Sequence, residues 1–170
     1  MLENKKIWIV LVALAAGARL APHPWHFTPM IALGLFAGAK AAKVQTGLIA
    51  TLAALLLSDA ILGFYSGMWY VYAATLVPVF AGRWIRPWQS VGAVTAAALG
   101  SSVSFFILTN FPSWASGHTY THDLAGLAAC YAAAIPFFQS QLLGDAFYAA
   151  VLFGGYALFY RLRTPSPQTA

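Results

Sequence analysis

Charge sits at the ends of apolar runs in this chain, and the two kinds of end do not mix. Apolar segments cover residues 7–21, 27–39, 44–65, 69–82, 90–109 and 144–160. Lys5 and Lys6 precede the first, Lys40 and Lys43 separate the second from the third, Arg83 and Arg86 the fourth from the fifth, and Arg161 and Arg163 follow the sixth. All four His and three of the four carboxylates fall at the opposite ends, where Arg19 is the one Lys or Arg of nine. A missed or extra segment would scatter these charges over both ends. Lys and Arg in short loops mark the cytoplasmic side of a membrane protein, so the pattern predicts six spans with both termini inside.

Composition agrees. The chain is 61% hydrophobic and 8% charged, against about 25% charged in an average soluble domain, so its side chains could not cover a water-facing surface. Its 170 residues hold one transmembrane domain over 1–163, with 164–170 left as a disordered cytoplasmic tail. The net charge of +5 is a topology signal beside apolar runs and gives no reason to expect nucleic acid. A lone cysteine, Cys130, excludes an internal disulfide and a thiolate metal cluster. The basic start followed by 7–21 has the look of a signal peptide, but the apolar segments that follow favour a retained first span.

Two segments fit less easily. At 1.5 Å per residue, 27–39 makes roughly 20 Å of helix, short of a hydrocarbon core of about 30 Å. Residues 124–138 form an apolar stretch broken by Pro136. Counted as a span it would reverse the side of Arg161 and Arg163, so it is read as an extra outer-side interfacial or re-entrant helix. Such a segment is a candidate lid. The fold expected is thus an all-α integral membrane protein, a six-helix transmembrane bundle of N-in/C-in topology with that additional helix.

Chemistry-bearing side chains collect at the outer end. The first outer loop, 19–29, holds Arg19, His23, Trp25 and His26 among three prolines that stiffen it. Asp59 near the end of the third span is costly in lipid unless paired or functional, and Arg19 is its natural counter-charge. A structural ion pair between the two helices explains these residues as well as a binding role does. The last outer stretch supplies Asn110, Trp114, His118, Tyr120, His122 and Asp123, and Asp145 opens the sixth segment, either as a ligand contact or as a charge suited to a helix N-terminus. His118, His122 and Asp123 are candidate metal ligands, with nitrogen-rich ligation suiting nickel, cobalt or zinc; solvent-exposed loop histidines are the plain alternative. Trp25, Trp69 and Trp114 belong to an aromatic excess on this side. With Phe27, Phe64, Tyr65, Tyr70, Tyr72 and Tyr120 they outnumber the inner Trp8, Trp84 and Trp88. An interfacial belt or the walls of a pocket would each account for it.

Small residues recur at four-residue spacing, as Ala13 and Gly17, Gly34 and Gly38, and Gly92, Ala96 and Gly100. This spacing lets helices approach closely in lipid. Packing within the bundle is one use, and a partner-docking face on the first span, formed by Ala13, Ala16 and Gly17, is the other.

The string from Arg19 to Pro29, the Leu33 to Gly38 segment, the stretch from Leu57 to Gly63 and the Thr109 to Trp114 segment resemble an uncharacterised family of small bacterial membrane proteins. The segments from Leu127 to Tyr131 and from Ala134 to Asp145 fit the same family. That family carries no assigned activity. At His26 it would be expected to hold Asn. More distantly, the six-span plan with Gly-rich second and third spans is similar to the S components of energy-coupling-factor (ECF) vitamin transporters. That resemblance implies an outward-facing pocket for a vitamin or metal, and a first helix whose small residues dock a transmembrane coupling subunit.

The function expected is therefore a substrate-binding subunit of the bacterial cytoplasmic membrane, taking up a small vitamin-like solute or metal. Arg19, His23, Asp59, Asn110 and Asp145 are its expected polar contacts and Trp25, Trp69 and Trp114 its walls. No Gly-x-x-x-x-Gly-Lys loop is present, so ATPases would come with a coupling subunit. No cofactor is expected. The alternative is a non-transporting accessory subunit packed into a larger membrane complex. A membrane enzyme would need a nucleophile or metal motif that the chain does not display.

Overall fold

A computed structural model describes residues 2–86 and 90–163, and over them the chain is all-helical with no strand. Trp88 and the 164–170 tail lie outside the described residues. The helices are α1 (Lys5–Leu20), α2 (Met30–Lys40), α3 (Val44–Leu62), α4 (Met68–Ile85), α5 (Val91–Ser116) and α6 (Leu124–Ala149), which runs through a π turn (Ala150–Gly154) into α7 (Gly155–Arg163). Counting the last three as one rod gives six helices.

Local sequence explains where they start and stop. Asn4 and Ser90 accept from Lys6 N and Ala93 N at 2.9 and 3.2 Å, satisfying amides at the starts of α1 and α5. Asp123 does the same for α6, accepting from Gly126 N at 2.7 Å. Gly63 and Gly67, at φ of 98° and 83°, bracket the turn from α3 to α4 in a conformation that favours glycine. At the opposite end Leu2 N donates to Lys40 O at 2.9 Å, and Arg83 donates to the carbonyls of Ala41 and Ala42, each at 3.3 Å, so a cation closes the C-terminus of α2.

The shortest helix sits at the centre. Met30 through Ala39 of α2 are all buried, which explains how so short a helix can be apolar throughout: its neighbours enclose it. Its tightest partner is α4. A Cβ added to Gly38 would collide with Val79 O, one added to Gly82 would collide with Leu35 O, and one added to Gly34 would lie 3.2 Å from Pro78 Cβ. These backbones cross in direct contact.

One expectation is overturned. Residues 124–138 are not a separate interfacial or re-entrant helix but the first half of a continuous apolar helix reaching 39 residues, Leu124–Leu162. Pro136 does not end it, because a proline in an apolar bundle is carried where neighbours and local adjustment satisfy the freed carbonyl; α4 and α5 likewise hold Pro78 and Pro112 internally. Fusing the two segments leaves the helix count even.

Among the described residues three helices are long and apolar enough to cross a membrane: Val44–Leu62, Val91–Ser116 and Leu124–Leu162. They suggest a membrane protein. Large apolar side chains such as Ile9, Leu14, Ile49, Ile61, Val91 and Leu143 are exposed on the flanks, an arrangement that water would oppose and lipid accepts.

Candidate functional site

A cavity of about 420 Å³ opens among α1, α2, α3, α4, α5 and α6. Its polar lining comes from Arg19, Thr28, Tyr65, Tyr70, Asn110, Gln141 and Asp145, and its apolar walls from Met30, Ile31, Leu55, Phe105, Phe106, Phe137 and Phe138. A few convergent polar groups on hydrophobic and aromatic walls is the usual make-up of a small-molecule site, and the size is within the ordinary range of roughly 300–1,000 Å³.

Arg19 is anchored from behind. Its Nη1 donates to Ser58 Oγ at 2.7 Å and forms a close ion pair with Asp59. Tyr72 donates to the other carboxylate oxygen of Asp59 at 2.7 Å. The carboxylate is 1% exposed and does not line the cavity, whereas Arg19 does. Asp59 is thus a positioning residue that ties α1, α3 and α4 together and aims a guanidinium at the cavity. The expected ion pair between the two helices is present.

Asp145 lies where the expectation did not place it. It does not open a helix but sits well inside α6, 2% exposed, and accepts from Ser102 Oγ at 2.6 Å and from Gln141 Nε2 at 3.4 Å. The macrodipole explanation fails with the helix start. Its placement beside Gln141, Phe138, Phe137 and Ala134 follows the i, i+3, i+4 stripe of a single helix, a stripe hidden as long as 124–138 and 144–160 are treated as separate pieces.

The remaining expected contacts divide. Asn110 lines the cavity and donates through Nδ2 to Phe106 O of its own helix at 2.8 Å. His23 does not line it: its ring nitrogens meet Pro24 O at 2.8 Å and Arg19 O at 3.0 Å, closing the turn after α1. Trp25 and Trp69 are 77% and 70% exposed, packed against Phe137 and Tyr70 from outside. Trp114 donates to Thr121 O at 2.9 Å and meets His122 edge-on, holding the 117–123 connector. The three tryptophans belong to the rim, and the walls are Phe and Tyr.

Sequence reasoning missed His26 as a lining residue. It takes a positive φ of 63°, packs against Phe137 at 5.4 Å and faces the cavity. Burial, then the charge of neighbouring His23, lowers its pKa below the ordinary 6.5. The positive φ accounts for the expected Asn at this position, since Asn and His enter that region more readily than other side chains.

The metal candidates do not converge. Among the described residues no group of three or more His, Cys, Asp or Glu is placed to hold an ion. α5 stops at Ser116, so His118 and His122 lack the helical register that would align them. His122 contacts Gly117 O at 3.1 Å, and Asp123 is occupied as the α6 cap, where the Gly126 amide and then the Thr121 hydroxyl hold its pKa below the usual carboxylate value. The docking triplet also splits, because Ala16 is buried while Ala13 and Gly17 face outward, with nothing within 4 Å of a Cβ built on Gly17.

Residues 2–167 match the family model DUF6580, described as a family of unknown function. The chain belongs to DUF6580. No curated protein and no solved structure matches it. In this DUF6580 chain the segments that suggested an uncharacterised family bear most of the cavity: Arg19, His26 and Thr28 from the first string, and Phe137, Phe138, Gln141 and Asp145 from the last.

Proposed function

We propose that this chain is a membrane-embedded solute-binding subunit, S-component-like, that takes a small vitamin-like compound into the cavity beneath its first outer loop. The observation that carries the reading is the cavity itself, which offers an anchored guanidinium, a buried carboxyl and two amides between aromatic walls. A flat, partly polar solute of one or two rings suits it better than a bare metal ion, because the lining gathers no set of metal-ligating side chains.

In this reading the six helices each cross the bacterial cytoplasmic membrane, with both termini inside. The connectors 21–29, 63–67 and 117–123 then face outward and the basic residues inward, as Lys and Arg distribution requires. The short α2 crosses within the protein rather than within lipid. A transmembrane coupling subunit with ATPases would use the outward side of α1 at Ala13 and Gly17. The likeness to S components rests on helix plan and small-residue pattern.

Native mass spectrometry of the purified protein tests it, by looking for a co-purified small molecule. The expected result is a bound mass that is lost in Arg19→Ala. Retention of that mass in both Arg19→Ala and Asp59→Asn would remove the cavity from consideration.

A second reading, an accessory subunit in a larger complex, draws on a different observation. Gly92, Ala96 and Gly100 form an exposed stripe on α5, and no heavy atom lies within 4 Å of a Cβ built on either glycine. Such a stripe lets another helix approach closely. Co-purification of a stoichiometric membrane protein, with no small molecule bound, would favour this reading.

A further inference from the structure

A second cavity, of about 530 Å³, lies between α5 and the α6–α7 rod on the basic half of the molecule. Its walls are mainly aliphatic, including Val94, Ala98, Leu142 and Ala149, and Lys40 stands at its basic end beside Tyr156, with Nζ 3.9 Å from the ring centroid. The π turn borders it through Ala150 and Phe153. Widened turns of this kind are frequent at functional sites in helices.

The two cavities share one side chain, Asp145. Its hydrogen-bond donors divide between them: Gln141 lines the first cavity and Ser102 the second. A carboxyl in the interior of a membrane helix is costly and by default marks a pathway or relay. Both of its donors are neutral. Asp59, the other buried acid, has Arg19 in direct contact and lines neither cavity.

We propose that Asp145 carries protons between the two cavities, so that solute entry is linked to proton movement along α6. This rests on the solute-binding reading above and adds a proton route beside the coupling subunit. The carboxylate takes a proton from water in the first cavity and releases it to water in the second, and no covalent or redox partner is required. Ser102 and Gln141 both donate to the same oxygen, Oδ2, so the carboxylate takes a proton on Oδ1 with both contacts kept. The titratable groups on the cavity walls are Arg19, His26, Tyr65 and Tyr70 in the first, and Lys40 and Tyr156 in the second.

The test uses full-length protein in liposomes, with Cys130→Ala and Asp145→Cys combined and a small cationic methanethiosulfonate added to one side at a time. Intact mass is expected to show the adduct from either side, and none in Cys130→Ala alone. Labelling from one side only, or from neither, overturns the route. A second measurement keeps Asp145 in place: infrared spectra of the wild-type protein are expected to show a protonated-carboxyl band that titrates with pH and disappears in Asp145→Asn. Absence of any band lost in Asp145→Asn overturns the proposal equally. Failure of the binding reading is distinguishable, because it is read from co-purified solute in wild type and in Cys130→Ala.

Discussion

At the scale of single residues, the site is built around a charge that is held rather than free. Arg19→Ala leaves Asp59 buried with only the Tyr72 hydroxyl against it, and removing one partner of a buried pair costs about 3–5 kcal/mol. The expected outcome is a lower thermal midpoint together with loss of bound solute. The double variant Arg19→Met with Asp59→Leu separates the two roles, since apolar replacement of both partners is often neutral or stabilising: it should regain stability and still fail to retain solute. His26 gives a pH signature. Its pKa is lowered in the folded protein, so the folded state binds fewer protons than the unfolded one near the ordinary 6.5. Stability therefore rises with pH through that region and is lost on acidification. His26→Asn, which keeps a side chain suited to φ of 63°, should flatten the acid limb of a thermal-shift profile against pH. A profile unchanged by the substitution would show that His26 contributes nothing to it.

Residue-level legibility was uneven for physical reasons. The Arg19 and Asp59 pairing could be read from the cost of a lone acid in lipid and from both residues lying near one end. The tryptophans could not be sorted into wall and rim, because composition records only that aromatics favour an interface. His26 was hidden because backbone conformation, not side-chain type, brings it to the edge of the cavity.

At the scale of elements, glycine separates packing from exposure. Gly38→Ala drives a methyl into Val79 O, and neither backbone can retreat without moving α2 or α4. Overpacking of a close interface costs about 1–3 kcal/mol, so Gly38→Ala should lower the thermal midpoint clearly. Gly100→Ala meets open space and should leave it unchanged or slightly raised, alanine being the better helix former. Both glycines belong to four-residue repeats of the same kind in the sequence, and only their neighbours tell them apart. The α6 stripe was lost to a similar ambiguity. A continuous helix of 39 residues exceeds what a bilayer requires, so Pro136 invited a break, and the alignment of Phe138, Gln141 and Asp145 went unseen.

At the scale of the whole molecule, the end-to-end segregation of charge was the most legible feature, because it depends on the number of helices and not on their boundaries. Joining 124–138 to 144–160 as one helix keeps six rods and leaves Arg161 at the end of the chain opposite His118. In a Cys130→Ala background, His118→Cys should react with an impermeant thiol reagent only from outside and Lys43→Cys only from inside. Reaction of both from one face would contradict the topology. The most direct test of the central claim, that the cavity among α1, α2, α3, α4, α5 and α6 holds a solute, fills that cavity without replacing any of its polar groups. Ala134 lines it and takes no part in the Arg19 and Asp59 pair, and native mass spectrometry of Ala134→Trp should show folded protein stripped of the small molecule that wild type retains. A folded Ala134→Trp carrying the same bound mass would contradict the account.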